Sequence, residues 1–391
     1  MQQQNANFSQ IIIEVIQEIF GPGPVSLHQP SFLGNEWSYV KDAIDSTFVS
    51  SVGPYVSKFE TELAGYTGAK HVIAVTNGTA ALHLALLLAG VSRNDEVLIP
   101  ALTFVATANA VSYCGAIPHF IDSEDKYLGL NVEKLAEYLE ESTIQLSGNC
   151  VNKKTGRIIR AIVPMHTFGH PCNMEKIMSL ASRFHLKIVE DAAEGLGSFF
   201  YGKHVGTFGE LGVLSFNGNK IITTGGGGAI LTNNDFIALR AKHLSTTAKI
   251  NHPWEYIHDD VGFNYRLPNI NAALGLAQLE LMSEFLENKK RLNQIYKDKL
   301  SGLNIAVIGD PPGCASNFWL QTLDLKDSSG KRLNLLLAES NGVGISTRPI
   351  WRLLNTLDPY INCPAMNVEV AERLTKSMIN IPSSALIRPI S

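Results

Sequence analysis

The sequence predicts an α/β protein with a mostly parallel central sheet, helices on both faces of that sheet, and a smaller C-terminal α+β domain. From about residue 70, short apolar runs alternate with stretches of helical length, a rhythm that is typical of parallel βαβ units. After residue 234 the rhythm gives way to longer helical stretches and mixed short segments. We therefore expect three parts: an N-terminal helix and arm (1–35), a large domain (36–250), and a linker, long helix and small domain (251–391).

The elements of the alternating region follow from their residues. The stretch from Thr79 to Ala89 is apolar almost all round, which indicates a buried helix. Asn131 is a typical N-cap, and it begins a helix that ends near Glu141. The polar residues 143–157 are predicted to form a surface insertion. The expected strands span 71–75, 96–101, 117–121, 158–165 and 186–189, and the other expected helices span 104–113, 173–185, 235–244 and 271–299.

An amphipathic helix is predicted before this region. Apolar residues recur at helical spacing between Phe8 and Phe20, so one face of the helix should pack on the body of the protein or on a partner subunit. The polar face carries Glu14 and Glu18 rather than basic residues, which argues against a membrane anchor.

Composition excludes several classes of protein. The chain has 391 residues, 45% hydrophobic and 17% charged, and its net charge of −4 is not that of a nucleic-acid or membrane-surface binder. The five cysteines are scattered without a C-x-x-C pair, which argues against disulfides and structural zinc, and we expect no metal. The first basic residue is Lys41, so no charged leader is visible and a cytoplasmic protein is expected.

Lys220 and Asp191 are the most informative pair of residues. Lys220 lies between an apolar strand and the glycine run 225–228, a setting in which a lysine amine can form a Schiff base. Asp191 ends an apolar run, where an acid can hold a pyridinium nitrogen. Taken singly, the lysine is most often a solvated surface charge and the aspartate a turn former. Together, and in this order, they predict a pyridoxal phosphate (PLP) site.

A phosphate site is predicted where the first strand turns into the next helix, at residues 76–82. Gly78 lets the backbone approach an anion, the N–H groups of the helix start point at it, and Thr79 adds a hydroxyl. A simple capped turn is the alternative. Ser215, five residues before Lys220, is either a second phosphate ligand or a strand serine bonded to the backbone. The turn lacks the G-K-[ST] and G-x-G-x-x-G patterns, which excludes a Walker loop and disfavours a Rossmann fingerprint.

Four further residues are candidates with open alternatives. Phe104 either stacks on an aromatic cofactor or packs in the core, and Glu194 either approaches a ring substituent or is a solvated helix acid. His166 and His170 flank a loop at the end of another strand, and we include His166 among the expected substrate contacts. Two histidines without a nearby cysteine do not predict a metal site.

These residues jointly resemble the DegT/DnrJ/EryC1/StrS family of PLP-dependent sugar aminotransferases, which has the aspartate aminotransferase-like (type I) fold. The resemblance covers nearly the whole chain, from about residue 53 to residue 349. The segments that carry it are 76–81, 103–107, 190–193, 215–216 with Lys220, 262–266 and 344–349.

The resemblance implies roles for the matching residues. Lys220 attaches the cofactor covalently and is the catalytic base and acid, while Asp191 pairs with the ring nitrogen. Asn264 reaches the phosphate of the neighbouring subunit's cofactor, which implies a homodimer with shared active sites. Arg266 and Arg348 either hold the substrate diphosphate or form structural ion pairs. The resemblance also implies that Gly78, Thr79 and Ser215 hold the phosphate and that Phe104 stacks on the ring. Asn217 and Glu194, which differ from the residues of many members, complete the expected cofactor contacts.

The segment 217–220, Asn-Gly-Asn-Lys, together with Glu194 points to one branch of the family. It resembles the branch that acts on UDP- or GDP-linked 4-keto-6-deoxy-N-acetyl sugars, as in legionaminic acid or bacillosamine synthesis. Glutamate is then the expected amino donor, and polysaccharide biosynthesis is the expected context. A dehydratase branch has His in place of the lysine, so Lys220 argues against that activity.

Three other functions are alternatives to a sugar aminotransferase. A PLP lyase or decarboxylase would use the same lysine and aspartate. A non-catalytic nucleotide-binding module would need only the turn at Gly78. A metal hydrolase would need clustered ligands, which the sequence does not display.

Overall fold

The structure, a computed structural model, describes residues 2–385, with side chains from residue 8 onward. Met1 and residues 386–391 belong to the first and last predicted segments and lie outside the described residues. The α-helices are α1 (Gln2–Phe20), α2 (Glu36–Asp45), α3 (Pro54–Thr67), α4 (Gly78–Leu88), α5 (Val105–Tyr113), α6 (Val132–Ser142), α7 (Met174–Phe184), α8 (Asp235–Ser245), α9 (Asn269–Glu280), α10 (Met282–Lys299), α11 (Lys331–Gly342) and α12 (Glu369–Ser377).

The strands form one large sheet and several smaller ones. They are β1 (His71–Val75), β2 (Glu96–Pro100), β3 (Ile117–Ile121), β4 (Thr143–Leu146), β5 (Asn149–Asn152), β6 (Ile158–Ile162), β7 (Lys187–Asp191), β8 (Phe199–Phe200), β9 (Lys203–His204), β10 (Leu211–Ser215), β11 (Gly228–Thr232), β12 (Lys249–Ile250), β13 (Ile257–His258), β14 (Ala306–Val307), β15 (Cys314–Ala315), β16 (Gln321–Asp324), β17 (Arg348–Pro349) and β18 (Met378–Ile381).

The large sheet has the order β1-β11-β10-β7-β6-β2-β3. The pairs from β10 to β3 are parallel, whereas β11 runs antiparallel to both of its neighbours. Consequently β1, β10 and β7 all point the same way, and their carboxyl ends lie at one edge of the sheet. The predicted mostly parallel sheet is confirmed, and this edge is where ligands bind in such folds.

Successive strand residues point to opposite faces of the sheet, and both faces are covered. On one face, Val75 and Val213 pack with α4, α5 and α8. On the other face, Ala74 and Leu214 pack with α3 and α9, and Ile188 packs with α6 and α7. The helices on both faces are therefore confirmed.

A second core joins the first helix, α1, to the last strand, β18. The antiparallel sheet β14-β16-β18-β17 packs with α10 and α11, and the apolar face of α1 joins them through Ile12 and Ile16. The predicted amphipathic helix thus packs on the body of its own chain. The division at residues 35 and 250 stays a prediction.

Two segments differ from their sequence-based prediction. Residues 143–157 are not only a surface insertion, because β4 and β5 form a hairpin that extends β6, and Cys150 and Val151 are buried. The predicted helix 271–299 is two helices that meet at Leu281. The first helix, α9, packs on α2 and α3, and the second, α10, packs on β14. The break at Leu281 therefore allows the two helices to pack against different parts of the protein.

Candidate active site

A cavity of about 860 Å³ lies at the carboxyl ends of β1, β7 and β10. It is also lined by the arm that precedes α2, by Trp319 and by residues around β17. The structure therefore brings most of the sequence-predicted site residues together. Those that line the cavity are Gly78, Thr79, Phe104, Asp191, Glu194, Ser215, Asn217, Lys220 and Arg348.

The start of α4 forms an anion-binding corner. Asn77 caps the helix, its side chain accepting a 2.8 Å hydrogen bond from Ala80 N–H, while helix geometry leaves the Gly78 and Thr79 N–H groups without intrahelical partners. A Cβ on Gly78 would lie 2.9 Å from Ser215 Cβ, so only glycine brings this backbone beside that hydroxyl. A Cβ on Gly228 would lie 2.7 Å from Gly78 N, so a second glycine keeps the corner closed. Two N–H groups and a hydroxyl on a helix N-terminus suit a phosphate.

Asp191 is buried at the end of β7 and is held by two donors. Thr107 Oγ1 donates to Asp191 Oδ2 at 2.7 Å, and Ala193 N–H donates to Oδ1 at 3.2 Å. Burial raises the pKa of the Asp191 carboxyl, and the hydrogen bonds from Thr107 and Ala193 oppose that shift. The side chain therefore presents a supported carboxylate to the cavity, as a ring nitrogen that must stay protonated requires.

Lys220 lies on the loop between β10 and β11, whose two ends are joined by backbone hydrogen bonds. Phe216 N–H donates to Gly227 O at 2.8 Å, Thr224 N–H donates to Phe216 O at 3.0 Å, and the Phe216 ring is buried. The Lys220 side chain, only 12% exposed, places Nζ 3.9 Å from the ring centroid of Trp319 and 3.3 Å from Glu194 Oε1. The Lys220 amine therefore lies between the Trp319 ring and the Glu194 carboxyl group.

Glu194 is a buried acid rather than the solvated helix acid of the alternative interpretation. Its Oε2 accepts a 2.8 Å hydrogen bond from Phe168 N–H, and its Oε1 faces Lys220. Burial raises the pKa of Glu194 to about 7, against the opposing effect of Lys220. Its carboxyl group can therefore hold or release a proton near neutral pH.

Phe104 has the exposure of a ring that lines a site. It stands at the start of α5, half of its side chain is exposed, and its ring lies 6.3 Å from that of Trp351. The core position of the alternative interpretation is wrong for this residue. A half-exposed aromatic ring that lines the same cavity as Asp191 and Lys220 can stack on a planar ligand.

His166 corrects the sequence-based expectation of a substrate contact. Its side chain is fully buried and, among the described residues, does not line the cavity. Its Nε2 lies 3.2 Å from Glu190 Oε2, and its Nδ1 accepts a 3.1 Å hydrogen bond from Cys172 N–H. Both ring nitrogens therefore have partners within the protein, and the buried ring is not accessible to a substrate.

Asn264 and Arg266 also lie away from the cavity of their own chain. Asn264 is exposed, and its Oδ1 accepts from Arg266 at 3.2 and 3.3 Å. Arg348 does line the cavity, where its guanidinium also donates to Asn341 Oδ1 at 2.9 Å. Arg266 also forms an isolated bridge with Val75, at the end of β1.

The cavity fits PLP on its own geometry. Its corner of N–H groups beside the Ser215 hydroxyl suits the phosphate, the Phe104 face suits the ring, and the supported Asp191 carboxylate suits the ring nitrogen. The amine of Lys220 lines the same space. The phosphate, the ring nitrogen and the aldehyde of the cofactor thus each have a chemically matched partner.

Three lining or supporting residues were not singled out in the sequence. Thr107 lies three residues after Phe104, and a hydroxyl in the same helical turn is the only signal it gives. Trp319 stands about 100 residues after Lys220, and no spacing rule connects the two. His28 belongs to the arm, which the sequence did not associate with the site.

The described residues offer neither a cluster of metal ligands nor a membrane-spanning helix. Residues 2–385 contain no group of three or more His, Cys, Asp or Glu side chains arranged to hold a metal ion. Within the same range, no helix combines the length and the apolar character needed to cross a membrane.

Comparison with known proteins gives a consistent result. The model of the DegT/DnrJ/EryC1/StrS aminotransferase family matches residues 32–389. The GDP-perosamine synthase of Caulobacter vibrioides is 36% identical over 363 residues, which cover 92% of this chain and 93% of that protein. A Bacillus subtilis protein provisionally named pyridoxal phosphate-dependent aminotransferase EpsN is 37% identical over 367 residues, or 92% and 91% of the two chains. The solved structure of a DegT DnrJ EryC1 StrS aminotransferase from Brucella abortus superposes with a TM-score of 0.81 at 27% identity, covering 91% of each chain.

Proposed function

Because this chain belongs to the DegT/DnrJ/EryC1/StrS aminotransferase family and is a PLP-dependent aminotransferase of the type I fold, we propose that glutamate is its amino donor and a nucleotide-linked sugar its acceptor. The proposed acceptor is a UDP- or GDP-linked 4-keto-6-deoxy-N-acetylhexosamine, aminated at C4. The name of the Caulobacter relative specifies a GDP-linked sugar, which supports the nucleotide-sugar class. The segment 217–220 with Glu194 supports the N-acetyl branch and a product used in polysaccharide synthesis, such as legionaminic acid. A cytoplasmic location stays a prediction.

One observation carries the proposal. The amine of Lys220, the carboxylate of Asp191 and the anion corner at Gly78 share a single cavity, whose other wall presents Arg348 and Arg352. Guanidinium groups suit a diphosphate, so the cavity offers partners for both reactants.

Bound PLP supplies the electron sink that lets a carbon beside the transferred nitrogen lose a proton. Lys220 would hold the cofactor through Nζ, and the same amine, when free, would carry a proton to or from the substrate carbon. The Trp319 face stabilises Nζ while it carries the proton as an ammonium, because cations are attracted to aromatic faces. Glu194, with a pKa of about 7, lies within reach to accept a hydrogen bond from the same Nζ. Asp191 keeps the ring nitrogen protonated through its charge.

The homodimer with shared sites belongs to the same proposal. Asn264 lies outside its own cavity, and just before it in sequence Trp254 and Tyr256 are 78% and 82% exposed. Exposed aromatic groups of this size are typical of surfaces that a partner covers. A second subunit on this surface would bring Asn264 to the neighbouring site.

A panel of acceptors tests the substrate class. The protein is incubated with PLP, glutamate and 4-keto-6-deoxy sugars that carry UDP, GDP or dTDP, with and without a 2-acetamido group. The formation of 2-oxoglutarate and the mass of the amino sugar are then measured. We expect turnover of an N-acetylated UDP or GDP sugar. Transamination confined to simple 2-oxo acids would overturn the acceptor class and leave the PLP chemistry standing.

A further inference from the structure

His28 is a polar side chain without a partner beside the reacting groups. It lies on the arm between α1 and α2, and it lines the same cavity as Lys220. Neither Nδ1 nor Nε2 has a hydrogen-bond partner among the described residues, and both atoms are buried. A buried polar group left unpaired destabilises the folded state, so such a ring is better explained by a ligand than by packing.

The backbone on either side of His28 is held in place. Ser383 N–H donates to Leu27 O at 2.7 Å, and Gln29 N–H donates to Ser384 Oγ at 3.0 Å. Further back on the arm, Val25 N–H donates to Gly344 O at 3.0 Å. The ring is therefore fixed on the cavity wall rather than carried by a free loop.

The surroundings of His28 favour its neutral form. Burial lowers the pKa of the imidazole well below its usual value, and the positive charges of Lys289 and Lys220 act in the same direction. A neutral imidazole has one N–H donor and one nitrogen acceptor. It suits an uncharged group that both accepts and donates a hydrogen bond, and it suits a phosphate or carboxylate less well.

The other ligands of the cavity already have matched partners. Gly78 and Ser215 would hold the cofactor phosphate and Asp191 its ring nitrogen, and all three residues lie at the edge of the large sheet. Glutamate carries two carboxylates, which call for cationic or N–H partners rather than a neutral ring. The acceptor sugar is the ligand with uncharged groups that both donate and accept.

We propose that His28 is a specificity-determining residue that holds a hydroxyl or an N-acetyl amide of the acceptor sugar, donating one hydrogen bond and accepting another. The inference rests on the proposed function, since it needs a sugar acceptor. It adds a residue of the arm, outside every motif of the sequence, to the substrate site.

Two variants and separated half-reactions test this role. His28→Leu removes both hydrogen-bonding atoms, and His28→Gln keeps a donor and an acceptor on a flat group. We expect His28→Leu to lower kcat/KM for the sugar nucleotide about 10- to 100-fold, mainly through KM, in line with losing one or two hydrogen bonds in a buried site. His28→Gln should stay within about fivefold of the wild type. The reaction with glutamate alone, followed by cofactor absorbance, is the internal reference.

A binding measurement gives a readout that does not depend on turnover. Calorimetric titration of the cofactor-free protein with the aminated sugar nucleotide should show the same ratio of Kd values between wild type and His28→Leu. If His28→Leu loses affinity only for sugars with the 2-acetamido group, the partner of His28 is the amide. If it loses affinity equally for sugars with and without that group, the partner is a hydroxyl.

Three results would overturn the inference. One is a His28→Leu protein with wild-type KM and Kd for every sugar that the wild type uses. Another is a parallel fall of both half-reactions and of the Tm, which marks a structural residue. The third is a His28→Gln protein as impaired as His28→Leu. Failure of the proposed function is distinct, because the wild type itself would then turn over no sugar nucleotide.

Discussion

Thr107 donates a 2.7 Å hydrogen bond to Asp191, and this bond joins the first turn of α5 to the end of β7. Since the Thr107 proton is used on Asp191, the 3.1 Å contact between the Thr103 and Thr107 hydroxyls needs Thr103 as its donor. The two threonines form a buried chain of donors that ends on the carboxylate. This chain opposes the effect of burial, which raises the pKa of Asp191.

Thr107→Val should impair the enzyme through Asp191. Valine keeps the shape of threonine and removes the donor, so the pKa of Asp191 rises further and the ionised carboxylate is lost at a higher pH. We expect kcat/KM at neutral pH to fall about 10- to 100-fold, since a hydrogen bond to a charged group contributes about 1.5–3 kcal/mol. The acid limb of the pH–rate profile should move to higher pH, and Thr107→Ser should retain the wild-type limb. An unchanged limb in Thr107→Val would contradict the role of this hydroxyl.

Borohydride reduction should attach the cofactor to Lys220 and not to Lys289. Lys289 is the matched control because it is a fully buried lysine whose pKa burial lowers, and its Nζ donates to Trp319 O at 2.7 Å. Peptide mass mapping after reduction locates the label. Lys220→Ala should abolish it, whereas Lys289→Met should keep it. Label on Lys289 in the wild type would refute the assignment.

Glu194→Gln should change how stability depends on pH in the cofactor-free protein. The folded state keeps a proton on Glu194 up to a pKa of about 7, whereas the unfolded chain releases it near 4.5. The folded state therefore binds more protons in this window, so the wild-type free energy of unfolding falls as pH rises from 4.5 to 7. Glutamine does not titrate, so the free energy of unfolding of Glu194→Gln should rise relative to that of the wild type by on the order of 3 kcal/mol between pH 4.5 and pH 7.

Urea unfolding at several pH values measures that difference. Glu284→Gln, at an exposed position of α10, is the control substitution. A pH-independent difference between Glu194→Gln and the wild type would show that Glu194 does not retain its proton in the folded state.

Gly78→Ala should weaken cofactor binding at least tenfold. Its new Cβ would lie 2.9 Å from Ser215 Cβ, so the helix start must move away from the hydroxyl that completes the anion corner. Gly65→Ala on α3 is the control, because its Cβ meets nothing within 4 Å. Titration of each cofactor-free variant with PLP, followed by absorbance, gives the Kd values. Equal affinity in the two variants would place the phosphate elsewhere.

Mixing two inactive variants should restore part of the activity if subunits share sites. Lys220→Ala and Asn264→Ala each lack one partner of the proposed shared site. In a mixed dimer, one of the two sites has both residues intact, so up to a quarter of the wild-type activity is expected from statistical exchange. Exchange is followed by mass labelling of one variant. Complete exchange without recovered activity would exclude the cross-subunit role of Asn264.

The fold was predictable where side chains act locally. The N-cap of α6 is an example, because the Asn131 side chain accepts from Lys134 N–H at 3.1 Å, a bond that the sequence itself specifies. The hairpin β4–β5 was missed because its buried residues Cys150 and Val151 are too few to show a period. The break at Leu281 was missed because no glycine or proline marks it, and packing on two different cores decides it.

The site was predictable where residues follow strand ends. Lys220, Asp191 and Gly78 lie in one cavity because they follow or end β10, β7 and β1, whose carboxyl ends share one edge of the sheet. Trp319 and His28 reach that cavity from distant segments, and only tertiary structure brings them there. His166 failed as a substrate contact because a strand-end position does not reveal which way a side chain turns.

The hydrogen bond between Gln29 and Ser384 sets an order of events during synthesis. The two residues are 355 positions apart, so the ribosome delivers α1 and the arm long before the strand that covers them. The apolar face of α1 gains partners only when α10 and α11 emerge, and Ile379 and Ile381 of β18 complete its core. Contacts of such long range form late and slowly. α1 is therefore among the last elements to fold, and a chain released before α10 and α11 are made would leave the apolar face of α1 exposed.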